Sequence, residues 1–430
     1  MLFDNLSIID GELAFKNKKA TYLTTKYGTP LMALDIDKIR GRMREYLSAV
    51  KTYISEGSSV SFASKALCFT GIYRICSEEG MGIDTVSSGE IYTALNAGFD
   101  VDKAFFHGNN KTDADIEYAI DNKIGYFVAD NIEEVEKIDA YAFSKGVKQK
   151  ILLRITPGID PHTHSAINTG KVDSKFGTPI ETGQAIELVG KVLSYKNVTL
   201  CGFHSHIGSQ IFESSPFIFA GEIMLNFIKA VKDTFNYEVK LLNLGGGFGV
   251  KYVETDPEID YTKRIKELGD NLKRIATGLK INLPDVILEP GRSIVADSGI
   301  TLYTAGSVKE IKGYKNYVSI DGGMTDNPRY ALYQSAYTVL NATKIEKPCD
   351  YVCTIAGRCC ESGDLIQENV KMPKPTRGDI IAVLCTGAYN YAMASNYNKI
   401  PRPPIVGIEN GEDKLLVRRE TYADLVSLDV

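Results

Sequence analysis

The chain has 430 residues, of which 44% are hydrophobic and 24% are charged, and its formal net charge is −5. This composition is that of a globular protein with two or three domains, and it offers no general attraction to nucleic acid or to an anionic membrane. The first residues lack the basic and then apolar pattern of a signal peptide, and no apolar run approaches the roughly 20 residues that span a bilayer. We therefore expect a cytoplasmic protein that binds neither nucleic acid nor membrane.

The first 68 residues predict two short strands separated by a helix. Residues 30–34 form an apolar strand candidate, and helical spacing runs from about Asp37 to Tyr53. Residues 59–68 then alternate like a strand with both faces covered, and they carry a single charge, Lys65. A lysine withdrawn from water attacks aldehydes readily, whereas a lysine at a strand end can simply reach water. The stretch alone leaves both interpretations open.

A strand-then-helix rhythm begins at Ser59. Eight strand candidates end near Lys65, Val86, His107, Val128, Thr156, His206, Gly245 and Glu289. Ser87 and Glu90 form a capping box before a helix through Leu95, and an Asp130-Asn131 cap precedes helical spacing that continues to Ala142. Eight parallel strand-helix units favour a closed (β/α)8 barrel of the TIM type, with an open doubly wound sheet as the alternative.

Beyond about Ala296 the rhythm changes to short β-rich runs such as 317–320 and 380–384. These runs predict a second, mostly β domain that also takes in the N-terminal strand. The predicted divisions are therefore an N-terminal segment at 1–36, a barrel at 37–295 and a C-terminal β domain at 296–430.

The chemistry-bearing residues lie where barrel enzymes carry theirs, at the C-terminal ends of strands. Lys65 ends the first strand, and His204 and His206 lie two residues apart on the sixth. The remaining candidates, in chain order, are Ser209, the consecutive glycines Gly245, Gly246 and Gly247, and then Glu289, Gly291 and Arg292.

These residue types together suit one cofactor. Glycines with Ser209 and Arg292 favour a phosphate cradle over a simple tight turn. Glu289 is either the ion-pair partner of Arg292 or a carboxylate that keeps a heterocyclic nitrogen protonated. A lysine for an aldehyde, a cradle for a phosphate and a carboxylate for a ring nitrogen describe pyridoxal 5′-phosphate.

The ordered motifs resemble the pyridoxal-phosphate-dependent decarboxylases built on the alanine-racemase-type barrel, over about residues 29–397. The motifs that carry the resemblance are Lys65, His-Ile-Gly-Ser-Gln at 206–210, Gly-Gly-Gly-Phe-Gly at 245–249, Glu-Pro-Gly-Arg at 289–292 and Cys-Glu-Ser-Gly-Asp at 360–364. Within the family, the chain is most similar to the enzymes that act on meso-2,6-diaminopimelate. The resemblance implies decarboxylation of that small-molecule substrate to L-lysine and CO2, the last step of lysine biosynthesis, by a homodimer with shared active sites.

The resemblance also implies the role of each residue. Lys65 would bind the cofactor aldehyde, His206 would stack on the cofactor ring, and Glu289 would hold the ring nitrogen. The phosphate region would be held by Ser209, Gly245, Gly246, Gly247, Gly291, Arg292 and Tyr389. The substrate would be bound by Arg292, Arg329, Tyr333, Glu361 and Tyr389, and Cys360 would return a proton.

Two alternatives remain open. Related enzymes decarboxylate ornithine, arginine or carboxynorspermidine, but Arg329 together with Glu361 favours a substrate whose far end carries both a carboxylate and an amine. A catalytically silent homologue that binds a partner protein would typically have lost Lys65 or Cys360, and this chain keeps both.

Several residues depart from the family pattern or fall outside it. Lys65 stands in Ser-Lys-Ala-Leu-Cys, where the family more often has Val-Lys-Ala-Asn, and Thr325 and Tyr330 stand where Asn and Pro are commoner. The eight cysteines form no C-x-x-C pair, so no metal site is predicted. His162 and His164 are expected to be solvated loop histidines.

Overall fold

The structure is a computed structural model that describes residues 3–158 and 173–430, so His162 and His164 lie outside the described residues. The strands in chain order are β1 (Leu6–Ile9), β2 (Glu12–Phe15), β3 (Lys18–Lys19), β4 (Leu31–Asp35), β5 (Ser59–Ala63), β6 (Gly82–Thr85), β7 (Ala104–Phe106), β8 (Tyr126–Ala129), β9 (Gln149–Thr156), β10 (Thr178–Pro179), β11 (Val198–His204), β12 (Leu241–Asn243), β13 (Asp285–Leu288), β14 (Gly299–Ile311), β15 (Lys315–Ile320), β16 (Val339–Asn341), β17 (Tyr351–Ala356), β18 (Leu365–Met372), β19 (Ile380–Leu384), β20 (Ile405–Glu409) and β21 (Glu412–Val417). The helices are α1 (Ala20–Tyr27), α2 (Ile36–Tyr53), α3 (Thr70–Glu79), α4 (Ser88–Asn96), α5 (Asp113–Asp121), α6 (Ile132–Lys145), α7 (Gln184–Val192), α8 (Ser215–Phe235), α9 (Tyr261–Leu279), α10 (Arg292–Val295), α11 (Arg329–Tyr333) and α12 (Tyr422–Val426).

The chain divides into two compact units. The barrel unit comprises the described residues within Arg42–Gly249 and Ile259–Gly291. The β unit comprises those within Met1–Gly41, Val250–Glu258 and Arg292–Val430. The short segment Val250–Glu258 was not anticipated from the sequence. The domain boundaries at 36/37 and 295/296 stay predictions.

The barrel unit contains a closed parallel barrel. Within the described residues its eight strands follow the order β5, β6, β7, β8, β9, β11, β12 and β13, and β13 pairs again with β5. One core cluster combines Phe105, Val128, Leu152 and Ile287 from four of these strands. The predicted (β/α)8 barrel is therefore confirmed, and the open doubly wound sheet is wrong.

Two helices of the barrel unit, α4 and α6, begin at the predicted caps. The Ser87 hydroxyl accepts the N–H of Glu90 at 3.3 Å, while the Glu90 carboxylate accepts the N–H of Val86 at 2.7 Å, one residue before the cap. At α6 the Asn131 side chain accepts the N–H of Glu134 at 2.9 Å. Such bonds satisfy backbone donors that a helix leaves unpaired at its start, which is why these polar residues set the helix boundaries.

The first barrel strand ends earlier than the sequence pattern indicated. Strand β5 stops at Ala63, and Lys65 lies in a 3-10 turn over Ser64–Ala66, where its side chain is exposed. Asp84 Oδ1 accepts the N–H of Ser64 at 3.0 Å, which draws the backbone out of the ladder. Of the two interpretations that the sequence left open for Lys65, the structure matches the one in which the side chain reaches water.

The β unit is built on a second sheet. Its main path has the order β18-β17-β15-β14-β4-β20-β21, and β19 pairs with β14 and β16. Strand β4 is antiparallel to β14 and parallel to β20, so the N-terminal strand belongs to this sheet as predicted. Both β4 and β19 are buried along their whole length.

None of the helices in the described ranges is long and apolar enough to cross a bilayer.

Candidate active site

Glu289 is the centre of a buried hydrogen-bond network at one end of the barrel. Its Oε1 accepts a bond from His107 Nε2 at 2.8 Å and from Asn243 Nδ2 at 2.6 Å. Its Oε2 lies 3.3 Å from His204 Nε2. His204 and Asn243 are the last residues of β11 and β12, and His107 and Glu289 directly follow β7 and β13. Closure of the barrel therefore brings the four residues together.

The surroundings of Glu289 fix its charge. Burial raises the pKa of this carboxyl, but His107 and His204 outweigh burial and hold the pKa well below its usual range. Burial also lowers the pKa of His204 to about 3, so this imidazole is neutral near pH 7. His204 must then carry its proton on Nε2 to donate to Glu289. The network therefore presents an ionised carboxylate held by two histidines and an amide.

The same three residues, His107, His204 and Glu289, have ligand atoms within 4.8 Å of one another, a grouping that could hold a metal ion. Their mutual hydrogen bonds already use the facing atoms of all three side chains. We therefore treat the cluster as a hydrogen-bond network.

Lys65 is flanked by close backbone packing from the loop after β13. Pro290 O accepts the N–H of Ala63 at 3.2 Å. A Cβ added to Gly291 would lie 2.8 Å from the Ala63 Cβ and 2.9 Å from the Ala66 Cβ, so only glycine fits there. Burial and the charge of Glu289 raise the pKa of the nearby Asp84 to about 6, while the Lys65 ammonium opposes that rise. Lys65 is thus an exposed lysine on a turn whose flanks are fixed.

The glycine loop and the loop that carries Ser209 pack against each other. Ile211 donates its N–H to Gly247 O at 3.0 Å and accepts the N–H of Gly249 at 2.9 Å. A Cβ on Gly246 would meet Glu289 O at 2.0 Å, and one on Gly247 would meet Gly208 O at 2.4 Å. These glycines are required by close approach of neighbouring backbone, in addition to any ligand.

His206 lies between these loops, two residues beyond the end of β11. A Cβ on Gly245 would lie 2.7 Å from His206 Nδ1, so the imidazole packs directly on the glycine loop. Desolvation by its surroundings and the positive charges of Lys65 and Arg154 lower the pKa of His206 well below the ordinary value. His206 is therefore a neutral ring beside Lys65.

The β unit brings together a second group of candidates. Arg292 Nη1 donates to the Tyr252 hydroxyl at 2.7 Å, and its guanidinium lies 4.6 Å from the ring centroid of Tyr389. Arg329 Nη1 donates to the Tyr337 hydroxyl at 2.7 Å, and its guanidinium lies 4.8 Å from the ring centroid of Tyr252. Tyr333 ends the helix that begins at Arg329 and is half-buried.

Cys360 and Glu361 are exposed on a loop that a buried carboxylate organises. Asp364, 2% exposed, accepts the N–H of Cys359 at 2.7 Å and the N–H of Met324 at 2.6 Å. Its own N–H donates to Glu361 O at 3.1 Å. Asp364 thereby ties the loop of Cys360 and Glu361 to the loop that leads to Arg329. Burial, together with the charge of Asp364, raises the pKa of the neighbouring Cys359 to about 12.

The atypical residues have identifiable surroundings. The Cys68 thiol lies 3.3 Å from the Tyr73 hydroxyl, and burial raises the Cys68 pKa to about 11. Tyr330 donates its hydroxyl to Glu368 Oε2 at 2.6 Å. Thr325 is buried, and its hydroxyl has no hydrogen-bond partner among the described residues. Thr325 lies in the loop before α11 and Tyr330 lies within that helix, which begins at Arg329.

The structure therefore groups the candidates by unit. Lys65, His206, Ser209, Gly245, Gly246, Gly247, Glu289 and Gly291 lie in the barrel unit, and Arg292, Arg329, Tyr333, Cys360, Glu361 and Tyr389 lie in the β unit. Sequence reasoning did not select His107, Asn243, Tyr252 or Asp364 as site residues. Of these, Asp364 had a signal because it closes the Cys-Glu-Ser-Gly-Asp motif, and His107 and Asn243 had one because they follow or end strands.

Comparison with known proteins supplies the family. Residues 36–296 match the family described as "Pyridoxal-dependent decarboxylase, pyridoxal binding domain". Diaminopimelate decarboxylase of Bacillus subtilis (strain 168) is 43% identical over 422 residues, which cover 98% of this chain and 95% of that protein. This chain belongs to the diaminopimelate decarboxylase family. It is a pyridoxal-phosphate-dependent decarboxylase, and the predicted family and cofactor are confirmed.

Solved structures of diaminopimelate decarboxylases have the same fold. The enzyme from M. jannaschii in co-complex with L-lysine has a TM-score of 0.90 and 34% identity, with coverage of 99% of this chain and 98% of that one. The Helicobacter pylori enzyme complexed with L-lysine has a TM-score of 0.86 and 30% identity, covering 95% of this chain and 98% of that one.

The barrel site fits the family's cofactor by its own chemistry. In the described part of the chain, the backbone N–H groups of Gly246 and Gly247 donate to no other residue, as a phosphate cradle requires. The buried atoms His204 Nδ1 and Ser205 Oγ also have no hydrogen-bond partner there. With the ionised Glu289 and the exposed Lys65 amine, these features fit pyridoxal phosphate.

Proposed function

We propose that this protein decarboxylates meso-2,6-diaminopimelate to L-lysine and CO2, with pyridoxal 5′-phosphate as cofactor. The observation that carries the proposal is the ionised Glu289, buried between His107 and His204 on the same barrel end as the exposed Lys65 and the glycine loop. A structural ion pair would need neither the neighbouring amine nor the open N–H groups. Family membership supports this interpretation.

The barrel residues hold the cofactor in this proposal. Lys65 would hold the cofactor through its aldehyde, and His206, a neutral imidazole, would lie against the cofactor ring. Ser209, Gly245, Gly246, Gly247 and Gly291 hold the phosphate, with Arg292 and Tyr389. Pyridoxal phosphate supplies an electron sink for the electron pair that remains when CO2 leaves.

Glu289 holds a proton at the ring nitrogen of that cofactor. Its own depressed pKa favours this arrangement, because an ionised carboxylate stabilises a positively charged nitrogen beside it. His107, His204 and Asn243 orient the carboxylate so that it cannot rotate away. The ring nitrogen of the cofactor would thereby stay protonated.

In this proposal the β-unit residues bind the substrate. Arg329, Arg292, Tyr333 and Tyr389 bind the carboxylate of the substrate end that does not react, and Glu361 binds its amine. Cys360 returns a proton from its thiol to the carbon that has lost CO2. Both ends of diaminopimelate carry an amine and a carboxylate, and this pairing of arginines with a glutamate suits such a substrate.

The substrate assignment is tested by offering each candidate substrate separately. The purified protein with added pyridoxal phosphate is incubated separately with meso-diaminopimelate, ornithine and arginine, and the released CO2 and amine products are measured. We expect L-lysine from diaminopimelate and no comparable product from the other two. The Lys65→Ala variant measured in parallel controls for uncatalysed loss of CO2.

A faster reaction with ornithine or arginine would favour the alternative function, decarboxylation of another basic amino acid (ornithine, arginine or carboxynorspermidine). If none of the three substrates released CO2, the proposed decarboxylation would be refuted.

We also infer a cytoplasmic homodimer with shared active sites. All eight cysteines are free, which suits a reducing compartment. A site shared between subunits would combine Lys65 of one chain with Cys360 and Glu361 of its partner, as the family resemblance implies. The exposure of Cys360 and Glu361 in the single chain supports this arrangement, since substrate-binding groups normally act out of bulk water.

A further inference from the structure

Tyr252 lies in the short segment Val250–Glu258, which belongs to the β unit although barrel residues precede and follow it in the chain. The segment is held by its own hydrogen bonds. Asp256 Oδ2 accepts the N–H of Tyr252 at 2.9 Å and the N–H of Val253 at 3.1 Å, and Thr338 Oγ1 donates to Tyr252 O at 3.0 Å. Both backbone groups of Tyr252 are thus bonded, and its side chain is 4% exposed.

The Tyr252 side chain contacts two arginines through two different groups. Its hydroxyl oxygen accepts a bond from Arg292 Nη1 at 2.7 Å, and its ring lies 4.8 Å from the Arg329 guanidinium. Both arginines are themselves buried, at 7% and 5% exposure. A buried guanidinium loses hydration, and an aromatic face and a hydroxyl oxygen are both negatively polarised groups that offset this cost.

A second tyrosine completes the support of Arg329. The Tyr337 hydroxyl accepts from Arg329 Nη1 at 2.7 Å and donates to Asn390 Oδ1 at 3.2 Å, and the Tyr252 and Tyr337 rings meet edge to face at 5.7 Å. The Tyr337 hydroxyl is bonded to Arg329, whereas Tyr252 contacts both Arg292 and Arg329. Tyr252 is therefore the residue through which the positions of Arg292 and Arg329 are coupled.

We propose that Tyr252 is a positioning residue that holds Arg292 and Arg329 as one carboxylate-binding pair. The proposal rests on the proposed function, because it assigns these arginines to the carboxylate of the substrate end that does not react. Two guanidinium groups set by one rigid ring recognise a planar carboxylate better than two independent side chains, since less conformational entropy is lost on binding.

The test measures carboxylate selectivity apart from turnover. L-Lysine keeps one carboxylate and cadaverine has none, so the ratio of their dissociation constants on the pyridoxal-phosphate-loaded protein reports carboxylate recognition. Calorimetry gives both constants. Tyr252→Phe keeps the ring but loses the hydroxyl, and we expect it to reduce the selectivity for L-lysine about 10-fold, as expected for one lost bond to a charged group. Tyr252→Leu removes the ring as well, and the loss should approach about 100-fold.

A matched control is available in the barrel unit. Tyr261 is also buried, its hydroxyl donates to Gly249 O at 2.9 Å, and its ring lies 4.4 Å from the Arg42 guanidinium. Tyr261→Phe should leave the selectivity within about twofold, although it also removes a buried hydroxyl from beside an arginine. The conservative Tyr252→Phe keeps the test valid if Tyr252→Leu does not fold.

The outcomes separate this proposal from the proposed function. Unchanged selectivity in folded Tyr252→Phe, an equal loss in Tyr261→Phe, or a wild-type protein that does not prefer L-lysine to cadaverine would each overturn the role of Tyr252. Failure of the wild-type protein to convert diaminopimelate would instead overturn the substrate assignment. With turnover intact, Tyr252→Phe should raise KM for diaminopimelate about 10-fold and leave kcat within about twofold.

Discussion

Glu289 in the barrel unit and Glu361 in the β unit are both carboxylates proposed to act on a ligand, and their surroundings differ in almost every respect. Glu289 is 5% exposed and is bonded to His107 and Asn243, with His204 at 3.3 Å. Glu361 is exposed, and its loop is fixed by the buried Asp364 instead. The Glu289 carboxylate is held by residues from three other strands or strand ends, whereas the Glu361 carboxylate accepts local bonds from Ser362 at 3.4 Å and Gly363 at 3.3 Å.

The difference has a physical reason. A charge that must stay fixed against a cofactor ring is best preorganised by buried donors, which need not reorganise during reaction. Glu361 is exposed in the single chain, and much of the order of its loop comes from the buried Asp364 beneath it. Four changes test this comparison, from the largest expected effect to the smallest.

Lys65→Ala should abolish turnover by several orders of magnitude, because no other amine is proposed to bind the cofactor aldehyde. Borohydride reduction of the wild-type holoprotein should attach pyridoxal phosphate to the peptide containing Lys65, as read by mass spectrometry. Lys51→Ala, at an exposed lysine near the end of α2, should retain full activity. Label recovered on another lysine would refute the assignment.

Cys360→Ala should also be nearly inactive, and mixing it with Lys65→Ala should restore activity if the site is shared between subunits. Half of the exchanged dimers are mixed, and each mixed dimer has one intact site of two. Activity should therefore recover to about one quarter of wild type at equal stoichiometry. No recovery under verified subunit exchange means that Cys360 acts within its own chain.

Glu289→Gln should lower kcat about 10²–10³-fold, comparable to removal of one preorganised electrostatic group. It should also reduce the free energy of unfolding, because the native carboxylate has a depressed pKa. An acid whose folded pKa lies below its unfolded value of 4.5 stabilises the fold above about pH 4.5 and loses that contribution as pH falls. The stability difference between wild type and variant should therefore be larger at pH 7 than at pH 3.

Denaturant unfolding at both pH values measures that difference. A variant that is equally destabilised at pH 7 and pH 3 would contradict a strongly bonded, ionised Glu289.

Glu361→Gln should weaken transition-state binding of diaminopimelate by about 1.5–3 kcal/mol, the value of a lost charge-assisted bond. In contrast to Glu289→Gln, it should leave unfolding and pyridoxal phosphate binding unchanged, because the side chain is exposed. The exposed Glu412, on a strand of the β unit, provides the control Glu412→Gln, which should change neither activity nor stability. Unchanged kcat/KM in Glu361→Gln would remove Glu361 from the substrate site.

Sequence patterns were sufficient for the parts of this protein that depend on neighbours along the chain. Capping residues such as Ser87 and Asn131 set helix starts through bonds within four residues, and apolar periodicity placed all eight barrel strands to within two residues of their observed ends. Local pattern was less exact where tertiary contacts decided the position of a strand end. Lys65 left the strand because Asp84, from the next strand, captures the N–H of Ser64.

The order of motifs, the barrel and the family were thus determined by the sequence alone, since periodicity and short motifs are local properties. Only the tertiary structure decided which residues surround those motifs. His107, His204 and Asn243 meet Glu289 because closure of a parallel barrel gathers the carboxyl ends of its strands, although His107 is 182 positions away along the chain. Tyr252 contacts Arg292 and Arg329 because the segment Val250–Glu258 belongs to the β unit, although barrel residues flank it in the chain. No periodicity in the sequence predicts this assignment.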